Sequence, residues 1–119
     1  RINSNIKMSN IYSAADIFVI PSRMESFGQT AAEAQSCGTP VVGFNIGGLR
    51  DIVKNNKNGF LIEPFNSKKM ALAIEDLLTK EEKFIKFSKA SRKNALDNFD
   101  YRKIAKLHIN FYKRILNYE

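Results

Sequence analysis

Two carboxylates and three glycines are the residues of this chain whose types and spacing could do chemistry. Glu25 and Glu33 are the two ends of the run ESFGQTAAE, and Gly28 lies between them; Gly47 and Gly48 end a second run, NIGG. An ionised carboxylate only accepts hydrogen bonds, so the paired hydroxyls of a sugar are natural donors to it. A glycine at a helix start lets backbone N–H groups come close to a phosphate, which the positive end of the helix attracts. A site for a phosphorylated sugar is therefore one interpretation of these residues.

The first half of the chain predicts the elements that would position these residues. Continuous apolar runs predict buried parallel strands at residues 17–20, 41–44 and 60–62. Helices are predicted between and before them, at residues 9–14 (capped by Ser9), 29–37 and 49–54. This alternation predicts the α/β fold class, with a Rossmann-like parallel sheet of about three to four strands.

The second half predicts helices, because its apolar residues recur with a period of 3.6. Three apolar stripes are predicted: Met70, Ile74, Leu77 and Leu78; Phe84, Phe87, Ser91, Ala95 and Phe99; Ile104, Leu107, Phe111 and Ile115. Asn66 or Ser67 is expected to cap the first helix, and Thr79 with Glu82 has the spacing of a capping box for the second. We therefore expect one domain, with an α/β core at residues 1–65 and covering helices at residues 66–119.

Both glycine runs follow a predicted strand, which is where ligands bind in an open parallel sheet. Glu33 would lie on the order of 9 Å deeper along the helix than Phe27, at 1.5 Å per residue. A second interpretation needs no ligand. Gln29, Glu33 and Ser36 are spaced i, i+4 and i+7, as on the solvated face of a helix, and Glu25 is then a loop charge. The spacing alone favours this second interpretation.

A family resemblance favours the first interpretation, a ligand site, over the solvated helix face. Six collinear segments resemble the glycosyltransferase family 4 (group 1) enzymes of the GT-B fold: ADIFVIPS, ESFG, EA, CGTPVV, GG and NGFL, between residues 15 and 61. The resemblance covers roughly residues 9–78. The variant ESFGQTAAEAQSCGTPVV is similar to bacterial members that build surface polysaccharides, and Phe99, Asp100 and Tyr101 resemble the start of the family's last segment.

The resemblance implies a role for each matching residue. Glu25 and Glu33 match the ends of the family's E-x7-E motif, which implies that Glu25 contacts hydroxyls of the donor sugar and Glu33 the ribose diol of the nucleotide. The residues implied to bind the donor sugar are Glu25, Ser26, Phe27 and Gly28. Those implied to bind the nucleotide are Gln29, Thr30 and Glu33. The backbone N–H groups of Phe27 and Gly28 are expected near the phosphates, and Gly47 and Gly48 form a possible donor-crevice loop.

The resemblance also implies a reaction: retaining transfer of a sugar from a nucleotide-diphosphate sugar, without a metal or other cofactor. Where the family often has Pro-Glu, this chain has Arg50 and Asp51, so the contact of that carboxylate is open. The family's basic pair and its acceptor site are expected upstream, the latter in a separate N-terminal domain. Because the leaving nucleotide diphosphate needs positive charge, this chain alone is expected to be inactive. A non-catalytic nucleotide-sugar-binding module is the alternative.

Composition limits the remaining functions. The single cysteine, Cys37, excludes an internal disulfide and a multi-cysteine metal site. With no secretory signal and no apolar run of membrane-spanning length, we expect a cytoplasmic protein. The net charge of +7 is concentrated in residues 66–119, which hold 13 Lys and Arg against 7 Asp and Glu. Two interpretations stay open, a solvated helix face and peripheral attachment to an anionic membrane. No recognition motif favours nucleic acid, and His108 has no partner ligand nearby in sequence.

Overall fold

Three short parallel strands form the centre of the fold. The computed structural model describes residues 4–116. Within that range the strands are β1 (Phe18–Ile20), β2 (Val41–Phe44) and β3 (Gly59–Ile62), arranged in the order β1-β2-β3 with parallel pairing throughout. The predicted parallel α/β sheet is confirmed.

Six helices accompany the sheet in the described part of the chain. They are α1 (Asn5–Ala14), α2 (Gln29–Ser36), α3 (Leu49–Ile52), α4 (Ser67–Thr79), α5 (Glu81–Asn98) and α6 (Tyr101–Ile115). Apart from α1, which begins four residues earlier than predicted, and α3, which ends two residues earlier, the helices lie where their patterns placed them. α3 ends early because the Asn58 side chain accepts the Lys54 N–H at 2.8 Å, which replaces a further helical hydrogen bond.

The central strand β2 separates two apolar layers. Its neighbouring residues Val41 and Val42 are both fully buried, and they point to opposite faces of the sheet. On the face of Val41, α1, α2 and α3 contribute Tyr12, Ala31 and Leu49 to one core cluster. On the face of Val42, α4 and α5 provide the cover of a second cluster. Both faces of the sheet are therefore covered, as a parallel sheet requires.

The long helix α5 connects the two layers and ends beside the start of α2. Its Ser91 hydroxyl donates to the Asn58 carbonyl, just before β3, at 3.0 Å. Its Arg92 guanidinium donates to the carbonyl of Ser36, the last residue of α2. At its far end, the ring of Phe99 meets that of Phe27 edge to face, with 6.4 Å between centroids. α5 thus runs antiparallel to α2, and α6 starts next to the loop that leads into α2.

Two predicted helix caps are wrong. Ser9 lies inside α1, where its hydroxyl donates to the Ile6 carbonyl at 2.9 Å, and the capping residue is Ser4. Thr79 is the last residue of α4, and its hydroxyl donates back to the Glu75 carbonyl at 2.7 Å. It therefore cannot cap α5, which has no side-chain cap. In both cases the hydroxyl bonds a carbonyl of the preceding helical turn instead of capping the start of a helix. The predicted cap at Asn66 is confirmed.

Two of the predicted apolar stripes are only partly buried. Leu78 of α4 is 58% exposed, because the buried face of α4 is formed by Met70, Ala73 and Leu77. The stripe of α6 contributes no buried residue, so the expectation that all the helical tail covers the core is wrong for this helix. α4 and α5 complete the core of this chain, and the apolar face of α6 lies outside it.

Candidate functional site

The loop between β1 and α2 folds back on itself through Glu25. The backbone N–H of Gly28 donates to the Glu25 carboxylate at 3.0 Å, and Gly28 has a left-handed backbone with φ of 83°. A side chain there would be strained by that conformation and would meet Ile52 Cδ1 at 3.1 Å. The glycine therefore lets the loop turn sharply into α2 while it packs on α3.

The loop that contains Gly47 and Gly48 packs closely against the loop between β1 and α2. The Gly48 N–H donates to the Glu25 carbonyl at 3.1 Å. A Cβ atom on Gly47 would stand 1.7 Å from that same carbonyl oxygen, and one on Gly48 would stand 2.4 Å from the Ser26 carbonyl oxygen. The structure thus places both glycines at the same end of the sheet as Gly28, where they support the loop that carries Glu25. The short α3 that follows them is four residues long.

The start of α2 presents unpaired backbone donors. Among residues 4–116, no acceptor contacts the N–H groups of Gln29 and Thr30, and no side chain caps the helix. Ser26, Phe27, Gln29 and Thr30 are exposed. Free N–H groups at a helix start, together with the helix dipole, form an electropositive point that suits a phosphate group.

Glu33 lies one turn into α2 and is held from two sides. The Tyr12 hydroxyl donates to its Oε2 at 3.2 Å, and the Gln29 Nε2 donates to its Oε1 at 3.3 Å. Burial of the phenol raises the pKa of Tyr12 to about 12, with the charge of Glu33 and its hydrogen bond adding to the effect. Tyr12 did not stand out in the sequence, because its contact with Glu33 joins residues 21 positions apart and depends on how α1 packs on α2.

A groove of about 740 Å³ opens beside Glu33. It is bounded by α2, the end of α5 and the start of α6, and its lining includes Phe27, Gln29, Glu33, Phe99 and His108. A volume of this size is in the range of small-ligand sites, which combine an apolar wall with a few polar groups. His108 gave no signal in the sequence, and the structure brings it to the wall of this groove.

Another groove, of about 850 Å³, lies at the opposite end of α2 and includes Ser36, Cys37 and Arg92 in its lining. This end of the helix presents carbonyl groups, one of which accepts from Arg92. Carbonyl oxygens repel a phosphate, so the start of α2 is the better candidate for an anionic ligand.

Between residues 4 and 116, no three side chains of His, Cys, Asp or Glu lie close enough together to hold a metal ion. None of the helices described is long and apolar enough to cross a membrane. Arg50, at the position where the resemblance departs, donates to the Asn45 carbonyl at 3.0 Å and is thereby drawn back onto its own loop.

Comparison with known proteins decides the family. Residues 2–94 match the family described as Glycosyl transferases group 1. The chain belongs to this family. The D-inositol 3-phosphate glycosyltransferase of Rhodococcus erythropolis is 33% identical over 108 residues, which are 91% of this chain and 24% of that protein. The chain therefore spans about a quarter of the length of the curated relatives it matches.

Solved structures of other proteins share the fold. Sucrose-phosphate synthase from Thermosynechococcus elongatus superposes with a TM-score of 0.83 at 32% identity, covering 92% of this chain and 27% of that one. Anabaena Alr3699/HepE in complex with UDP-glucose superposes with a TM-score of 0.81 at 26% identity, covering 90% and 30%. The fold is therefore that of a GT-B glycosyltransferase domain, and one of these neighbours binds a nucleotide sugar.

Proposed function

We propose that this chain is the donor-binding part of a retaining family 4 glycosyltransferase that uses a nucleotide-diphosphate sugar. The observation that carries the proposal is the start of α2, where the free N–H groups of Gln29 and Thr30 lie between two carboxylates. One carboxylate, Glu25, belongs to the loop before the helix, and the other, Glu33, faces the groove. The complex of the neighbour HepE with UDP-glucose supports this choice of ligand.

In the proposed complex the diphosphate lies at the start of α2. The Gly28 N–H, which the resemblance placed near the phosphates, already donates to the Glu25 carboxylate. In this proposal the N–H groups of Gln29 and Thr30 therefore bind the phosphate oxygens, and the helix dipole stabilises the phosphate charge. The two carboxylates repel phosphate and so face the ends of the ligand that carry hydroxyls. Glu33 accepts from the ribose diol, and Glu25 accepts from the donor sugar. The glycines at positions 47 and 48 hold the Glu25 loop in place.

The test is calorimetric titration of the chain with UDP-, GDP- and ADP-sugars. Glu33→Gln keeps the shape of the side chain and removes its charge, and we expect the best-binding ligand to lose about tenfold in affinity. Glu75→Gln, which changes an exposed glutamate of α4, is the matched control for the loss of one negative charge. Equal affinity in wild type and Glu33→Gln would remove Glu33 from the site.

Glu25 needs a separate comparison, because its carboxylate also accepts the Gly28 N–H within the loop. In Glu25→Gln the amide oxygen still accepts the Gly28 N–H, so the loop is preserved. We expect this variant to weaken binding of the nucleotide sugar and to leave the nucleoside diphosphate unaffected. An equal loss for both ligands would contradict the assignment of Glu25 to the sugar.

We further propose that transfer needs no metal and takes place in a longer protein that supplies an acceptor domain and a basic pair. Departure of the nucleotide diphosphate requires stabilisation of negative charge, and the start of α2 alone offers only partial charges. Sugar transfer and donor hydrolysis by the chain alone should therefore be undetectable, and robust turnover would contradict this. If the longer protein lacks the acceptor domain and the basic pair, the chain is instead a non-catalytic nucleotide-sugar-binding module.

The partner of α6 follows from its exposed apolar side. Leu107, Phe111 and Ile115 are 62%, 58% and 60% exposed, although they form one continuous stripe. We assign this stripe to the acceptor domain, because α6 starts at the wall of the groove that contains Glu33 and because most of the length of the relatives lies outside this chain. An acceptor domain packed on α6 would therefore lie beside the donor.

An anionic membrane is the competing partner of α6. The helix contains only cations among its charged residues: Arg102, Lys103, Lys106, Lys113 and Arg114. Vesicle co-sedimentation separates the two partners. If α6 packs on the acceptor domain, a longer protein that includes that domain should sediment equally with neutral and anionic vesicles. Preferential sedimentation with anionic vesicles that is lost in Phe111→Ser would instead favour the membrane and a bacterial glycolipid or surface-polysaccharide acceptor.

A further inference from the structure

The phenol of Tyr12 is a buried polar group whose hydroxyl has one partner. Tyr12 is 4% exposed, and its hydroxyl donates to Glu33 Oε2 at 3.2 Å. A buried phenol needs a hydrogen-bond partner, and a carboxylate on the neighbouring helix is a strong one. The bond links α1 to the helix that forms the candidate site.

The core fixes the position of this hydroxyl. The ring of Tyr12 packs edge to face on Phe18, with 5.2 Å between centroids. Its backbone carbonyl accepts from the Thr39 hydroxyl at 2.6 Å, and Thr39 is itself buried. Ring and backbone are thus held independently, so the hydroxyl approaches Glu33 from a fixed direction.

The Glu33 carboxylate can still accept hydrogen bonds from a ligand while Tyr12 and Gln29 donate to it. An ionised carboxylate has about four lone-pair sites on its two oxygens. The hydroxyl of Tyr12 uses one site on Oε2, and the Gln29 amide uses one on Oε1. Each oxygen therefore retains one site, which is what a vicinal diol requires.

We propose that Tyr12 is a positioning residue that orients the Glu33 carboxylate toward the ribose diol of the nucleotide. This inference rests on the proposed function, in which Glu33 binds that diol. Because the pKa of Tyr12 is raised to about 12, the phenol remains a donor at neutral pH. The hydroxyl thereby acts through Glu33 on one specific part of the ligand.

The experiment compares a nucleoside diphosphate with its 2′-deoxy form. The probe is whichever of UDP, GDP and ADP binds the chain best by calorimetry. Tyr12→Phe removes only the hydroxyl, and we expect about fivefold weaker binding of the ribonucleotide. Affinity for the 2′-deoxy form should change less than about twofold, so discrimination between the two ligands falls. Tyr112→Phe, on exposed α6, is the matched control and should leave both affinities unchanged.

If Tyr12 had only a structural role, Tyr12→Phe would change the two affinities equally. If Tyr12→Phe weakens both ligands equally, or neither, the positioning role is wrong. A double-mutant cycle gives a second measurement: in the Glu33→Gln background, Tyr12→Phe should have no further effect, whereas additive losses would contradict the proposal. Failure of the proposed function would be seen in the wild type itself, which would then bind no nucleotide or would bind the ribonucleotide and its 2′-deoxy form equally. Failure of the positioning role alone would be seen only in the Tyr12 variant.

Discussion

Helices α2 and α6 both begin at the same groove, and they differ in what surrounds them. The eight residues of α2 are mostly small, yet Ala31, Ala34 and Gln35 are fully buried in it. The fifteen residues of α6 separate apolar from basic side chains more clearly, yet none of them is buried. Burial is therefore decided by the neighbours that the fold supplies, and the strength of a helical pattern does not decide it. The exposed apolar face of α6 is the reason why we propose a partner for it outside this chain.

The largest expected effect contrasts two leucines. Leu49 packs fully buried between the loop of Gly28 and the sheet, and Leu49→Ala should lower the free energy of unfolding by about 4 kcal/mol. Leu107 of α6 is 62% exposed, and Leu107→Ala should lower it by less than about 0.5 kcal/mol. Urea unfolding of both variants measures the contrast. A loss of several kcal/mol in Leu107→Ala would show that α6 packs on the chain itself.

A second effect tests whether the two glycine loops are pressed together. Gly47→Ala combines a positive φ of 48° with a clash against the Glu25 carbonyl, and should cost about 3 kcal/mol. Gly38→Ala is the control. Its φ is also positive, at 79°, but its new Cβ would make only an ordinary contact of 3.4 Å with Ser88. It should cost about 1 to 2 kcal/mol. Equal losses in urea unfolding would contradict the close approach of the loops.

A smaller effect concerns the bond that ties α1 to α2. The pKa of Tyr12 is raised from 10.0 to about 12, so its proton is bound more tightly in the folded state. The corresponding stability, at most about 2.7 kcal/mol, is fully present below pH 10 and is lost as the pH rises to 12. Urea unfolding between pH 10 and pH 12 should show a steeper decline in wild type than in Tyr12→Phe. Because burial of the phenol is the largest cause of the raised pKa, parallel declines would mean that the phenol of Tyr12 is not buried in the folded state.

The sequence predicted the sheet well and the contacts between distant elements poorly. The apolar run of residues 41–44 has the length and flanks of a buried strand, and β2 occupies those positions. Leu78 and the stripe of α6 follow the same helical period as buried residues, and only the neighbouring elements decide that they are exposed. The bond between Tyr12 and Glu33 depends on packing between α1 and α2, which no local pattern encodes.

For the candidate site, too, the sequence predicted the general location and did not predict the contacts between loops. That the two glycine loops lie at the same end of the sheet could be predicted from the sequence, because the topology of a parallel sheet places strand-to-helix loops at one end. That Gly47 and Gly48 face the Glu25 loop could not be read from their types, since a glycine in a loop equally allows contact with a ligand or with backbone. The roles of Glu25 and Glu33 came from the family resemblance and stay predictions.

In the proposed function the start of α2 binds the diphosphate of the donor. Amide chemical-shift mapping of the chain during titration with UDP, GDP and ADP measures this binding residue by residue. We expect the amides of Gln29 and Thr30 to shift most with the nucleotide that binds, while those of Cys37 and Gly38, at the other end of α2, remain unchanged. Shifts confined to Cys37, Gly38 and the adjacent Arg92, or no shift with any of the three nucleotides, would contradict it.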